Sequence, residues 1–96
     1  MEELDLSSLR FELDKIDDSI LELISKRFDV TMNIAIFKKE NGLEIFQPKR
    51  EEQLLKSKVE LGNEFGLNEK FVERFFQIIL DESKLKQKEF LELHQD

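Results

Sequence analysis

The first 41 residues contain neither glycine nor proline. Their apolar side chains recur at helical spacing as Leu9, Leu13, Ile16, Ile20, Leu23, Val30, Ile34 and Phe37. A helix of about 35 residues rising about 1.5 Å each is roughly 50 Å long. A compact chain of this size has a radius of gyration of only about 12–13 Å. Much of such a helix overhangs one subunit while its apolar stripe continues to the end, so a partner has to cover it. Another copy of the chain is the simplest partner. The expectation is an all-α fold of three helices, the N-terminal one very long, in an intertwined homodimer.

Two shorter helices follow. Asp5 or Ser7 is placed to cap the first helix, which is expected over about residues 6–41 with Gly42 as its stop. Residues 42–47 form a loop carrying Ile45 and Phe46. Pro48 presets the first turn of a second helix over about 48–61, with Leu54, Leu55, Val59 and Leu61 on its apolar face and Gly62 expected to end it. Asn68 caps a third helix over about 68–93, with Leu67 and Val72 spaced for a hydrophobic staple. That helix is expected to bury Phe71, Val72, Phe75, Phe76, Ile78 and Ile79. No segment alternates with period two long enough to form a strand, and one domain over residues 1–96 is expected.

Bulk composition narrows the class of function. With 39% charged and 40% hydrophobic residues, the chain suits a globular helical protein. The absence of cysteine leaves no disulfide framework or thiolate metal site, so a reducing, cytoplasmic setting is expected. Met1-Glu2-Glu3 opens no basic-then-apolar signal. A net charge of −7 argues against nucleic-acid and anionic membrane partners.

Several polar residues interrupt the apolar faces. Arg27 falls within the stripe of the first helix, and Lys38 closes its far end, about 16 Å further along the axis. A cation on an apolar face is costly unless paired. Arg10 lies one turn into the same helix, about 25 Å from Arg27. One small ligand cannot span that distance within a chain. In an antiparallel dimer centred near Ile20 or Leu21, however, Arg10 of one copy reaches the Arg27–Lys38 stretch of the other. Arg50 and Glu51 occupy the first turn of the second helix. Ser83 and Gln87, spaced i, i+4, continue the face of Phe76 and Ile79.

The ordered set Leu9-Arg10, Ile16-Asp17, Leu23, Lys26-Arg27, Lys38, Pro48-Lys49-Arg50-Glu51, Ser83 and Gln87 resembles the all-helical class of chorismate mutases over about residues 6–93. The resemblance implies an intertwined three-helix dimer that converts chorismate to prephenate by a Claisen rearrangement, in aromatic amino-acid biosynthesis, without a cofactor or metal. It makes Arg27, and Arg10 from the mate, clamps on the two substrate carboxylates, with Arg50 and Ser83 assisting. It makes Glu51 the acceptor of the ring hydroxyl, and Lys38 and Gln87 the donors to the ether oxygen. One position departs from the pattern: Gln47 stands before the proline, where family members often carry an acid that would cap the helix.

Taken singly, each of these residues has an ordinary explanation. Arg27 could pair with Asp17, Glu22 or Asp29, and Lys38 could compensate a helix C-terminus. Arg50 and Glu51 could be a solvated pair. The lysines at 84, 86 and 88, with Glu82 and Glu89, read as a solvated face. His94 falls in a tail expected to fray. The joint occurrence of the polar set favours the enzyme. Competing functions are an isochorismate-pyruvate lyase on the same fold and a non-catalytic dimeric binding or regulatory module.

Overall fold

A computed structural model describes residues 5–94. Residues 1–4, on which the reading of the N-terminus rests, and 95–96 lie outside the described residues. Among those described, the fold is all-helical: α1 spans Leu6–Glu40, α2 spans Pro48–Glu64 and α3 spans Glu69–Leu93. The chain divides into two compact units at Thr31/Met32.

The first unit holds most of α1. Asp5 caps it, accepting the Ser8 backbone N–H at 2.7 Å. That bond holds the Asp5 carboxyl below its usual range, because it favours the charged form. Leu9, Leu13, Ile16, Ile20, Leu23 and Val30, the part of the predicted stripe in this unit, are all exposed. Glu22 and Lys26 form an exposed i, i+4 ion pair at 3.2 Å. On the opposite side of the unit boundary, Ile34 and Phe37 are exposed as well, while Ala35 is fully buried.

In the second unit α2 packs against α3. Both preceding helices end in the same way. Gly42 and Gly66 take left-handed backbone angles. The N–H of Leu43 then reaches the Lys38 carbonyl at 2.8 Å, and that of Leu67 reaches the Gly62 carbonyl at 2.9 Å. The expectation for Gly42 holds. Gly62 is corrected, because it lies inside α2 and the helix runs on to Glu64. Its role is packing: a Cβ built there would stand 2.7 Å from Val72 Cγ2. Glycine lets α2 and α3 approach, and Gly66 supplies the stop.

Asn68 caps α3 as expected, its Oδ1 accepting the Phe71 N–H at 2.9 Å. The buried face of α3 is Val72, Ile79, Leu80, Ser83 and Gln87. Phe75 and Phe76 are half-buried and meet edge to face at 5.4 Å. Phe71 and Ile78, expected in the core, are exposed. They lie about 100° round the helix from Val72 and Ile79, a rotation that takes them off the face turned to α2. His94 is also corrected. It is the C-cap of α3, its ring lies tilted against Phe90 with centroids 4.4 Å apart, and its carbonyl accepts a hydrogen bond from the Lys39 ammonium. The end of α1 is thereby tied to the end of α3.

Candidate active site

The chemistry-bearing residues of the second unit lie on all three of its helical segments. Lys38, in the last turn of α1, is half-buried. Its backbone carbonyl accepts the closing bond from Leu43, so the turn that ends the helix also fixes the base of this side chain. Arg50 and Glu51 stand in the first turn of α2, where Pro48 starts the helix and the acidic Glu51 complements its N-terminal dipole. Arg50 is exposed and Glu51 half-buried. Gln47 is the N-cap residue but makes no capping bond. Its amide instead donates weakly to the Glu44 carbonyl at 3.4 Å. Gln47 and Arg50 line one hollow of about 660 Å³ with Glu44, Pro48, Lys49 and Gln53.

Ser83 and Gln87 are the buried polar residues of α3, 5% and 8% exposed. They stand one turn apart on the face that carries Val72, Ile79 and Leu80, so the helix delivers both inward. The Ser83 hydroxyl is buried with no hydrogen-bond partner among the described residues. It makes no bond back to its own helix, the usual refuge of a mid-helix serine. An unsatisfied buried hydroxyl destabilises a fold by about 1–3 kcal/mol, and such groups in native proteins call for an explanation such as a ligand.

A contact absent from the sequence reading joins these helices. The Lys84 ammonium lies 3.3 Å from Glu51 Oε1 and 3.4 Å from Oε2. Lys84 therefore does not belong to a merely solvated face. It ties the first turn of α2 to α3, next to Ser83. No local signal could have found it, since 33 residues separate the partners.

In the first unit Arg27 is half-buried and Arg10 is exposed. Among the described residues, no group of three or more His, Cys, Asp or Glu side chains is placed to hold a metal ion. No helix of the described residues is long and apolar enough to cross a membrane.

Residues 9–88 match the chorismate mutase type II profile. The chain belongs to the type II chorismate mutase family. The match reaches into all three helices and includes Arg10, Arg27, Lys38, Arg50, Glu51, Ser83, Lys84 and Gln87. A bifunctional chorismate mutase/prephenate dehydratase of Buchnera aphidicola subsp. Schizaphis graminum is 40% identical over 87 residues, covering 91% of this chain and 23% of that protein. The chain thus spans about a quarter of such bifunctional relatives. A chorismate mutase of Methanocaldococcus jannaschii is 32% identical over 87 residues, covering 91% of this chain and 88% of the relative. A 4-amino-4-deoxychorismate mutase of Streptomyces venezuelae is 30% identical over 81 residues, covering 84% and 79% respectively. Type II chorismate mutases thus match this chain both as free-standing proteins and as one part of longer ones.

Proposed function

We propose that the chain is a chorismate mutase, converting chorismate to prephenate in aromatic amino-acid biosynthesis. The observation that carries this reading is the buried Ser83–Gln87 pair on α3, its serine hydroxyl unpartnered, in a chain of the type II family. Chorismate offers what these residues are equipped to bind: two carboxylates, a ring hydroxyl and an ether oxygen. In the rearrangement the ether C–O bond breaks as a C–C bond forms, and no atom is gained or lost.

Arg27 and a second copy's Arg10 hold the carboxylates, since a planar guanidinium grips a carboxylate by two charge-assisted bonds. Arg50 and Ser83 assist them. Holding a flexible diacid in its compact reactive shape removes orientational entropy from the barrier. Glu51 accepts the ring hydroxyl. Lys38 and Gln87 donate to the ether oxygen, where negative charge grows as the bond lengthens, and so favour the transition state over the ground state. The supply of Arg10 from a mate rests on an intertwined homodimer. The exposed apolar stripe of α1 supports that dimer, because a single chain leaves it uncovered.

The test is turnover of chorismate by the purified protein, followed by its ultraviolet absorbance, beside the Lys38→Ala variant. Removing one preorganised donor to developing charge lowers kcat by about 10²–10³. Prephenate from the wild type and that loss in a folded variant are expected. Near-normal turnover by Lys38→Ala would sink the site as described. Pyruvate from isochorismate without prephenate from chorismate would replace the function by the lyase.

A further inference from the structure

Lys84 is half-buried where α3 meets the first turn of α2. Its ammonium faces both oxygens of the Glu51 carboxylate, at 3.3 and 3.4 Å, and stands 3.7 Å from Asp81 Oδ1. Asp81 is itself engaged, accepting the Gln77 amide at 2.9 Å. The two side chains that bridge α2 and α3 are both partly withdrawn from water, Glu51 at 28% and Lys84 at 39% exposure. A pair still this accessible to water contributes little to stability, so the consequence of the cation lies in the charge it sets beside the carboxylate. Resting on the assignment of Glu51 to the ring hydroxyl, we propose that Lys84 is a specificity-determining residue. Its charge reserves Glu51 for a neutral hydroxyl and turns away a substrate that carries an ammonium there.

The argument is one of charge and of lone pairs. A carboxylate offers about four acceptor sites, so a lysine at one edge leaves others for an incoming O–H. A lone, half-buried carboxylate attracts an ammonium more strongly than a hydroxyl, because the first meets it as a full charge. With Lys84 in place that advantage is spent. A cation brought to Glu51 also comes within a few ångströms of a second cation, and juxtaposed like charges are the standard means of rejecting a wrong partner. The hydroxyl, being neutral, escapes the repulsion. Asp81 offsets part of the lysine's field, but at 3.7 Å and 61% exposure it is the more distant and more solvated of the two carboxylates.

The relevant pair of substrates is chorismate and 4-amino-4-deoxychorismate, whose amine replaces the hydroxyl and is protonated near neutral pH. The experiment measures kcat/KM for both with the wild type, Lys84→Met and Lys84→Arg. Methionine keeps an apolar stem of similar length, and arginine keeps the charge. The wild type should prefer chorismate. Lys84→Met should shift the ratio about tenfold or more toward the amine, through KM more than kcat, and Lys84→Arg should retain the wild-type ratio. Lys84→Gln supplies the same readout should the methionine variant fold poorly. A tie of purely structural value would lower both substrates together, and an unchanged ratio in Lys84→Met would overturn the proposal. So would a wild type that prefers the amine. Failure of the wild type to turn over chorismate at all would instead overturn the underlying reading of the site.

Discussion

In the proposed site, Gln87 would place an amide where a growing negative charge needs a donor. It is buried, 8% exposed, and it does not titrate. Replacing it by glutamate creates a side chain that donates only when protonated, and burial would push that carboxyl's pKa up. The wild type is therefore expected to keep a nearly flat rate across neutral pH. In Gln87→Glu, kcat should fall about tenfold per pH unit above the pKa of the new carboxyl. The pH–rate profiles of the two proteins check this. A flat profile for Gln87→Glu would remove residue 87 from the proposed donors. The type of each polar residue was legible in the sequence, because a charged or polar side chain on an apolar helical face stands out. Its partner was not. Lys84 resembles Lys86 and Lys88 in every local respect, and only the approach of α2 picks it out for Glu51.

At the scale of elements, the helix ends were readable and the helix faces were less so. Asp5, Gly42, Pro48 and Asn68 act on backbone groups within about four residues, so their signals are local. Gly62 misled because a glycine near a helix end serves equally as a stop or as a gap for a neighbour. The structure decides for the gap. Gly62→Ala should therefore destabilise the protein, although alanine is intrinsically better in a helix by about 0.5–1 kcal/mol. Val72 is buried, and its branched side chain has little freedom to yield. Overpacking of this kind costs about 1–3 kcal/mol, leaving a net loss on the order of 1 kcal/mol. Chemical denaturation at fixed protein concentration measures it. The cost should largely vanish when the alanine is introduced into a Val72→Ala background, and equal losses in both backgrounds would refute the close-packing account.

At the scale of the whole molecule, the proposed dimer follows from the exposed stripe of α1 and from the need for a second arginine. If Arg10 acts in the site of the other copy, then Arg10→Ala and Lys38→Ala damage different halves of one site. Each variant alone should be nearly inactive. Mixing them should restore activity to about a quarter of the wild type, the share of sites left intact when chains pair at random in a symmetric dimer. Activity measured after verified subunit exchange checks this, and no recovery would remove Arg10 from the mate's site. The sequence by itself determined three helices, most of their caps and the inventory of cations, donors and acceptors, because periodicity and capping are properties of neighbouring residues. Only the tertiary structure decided that Phe71 and Ile78 turn away from the buried face of α3, on which Ser83 and Gln87 lie. It alone brought Lys84 to a carboxylate 33 residues away and turned Gly62 from a stop into a point of close approach. Such choices depend on which faces of two helices meet, and no local pattern in a sequence specifies that meeting.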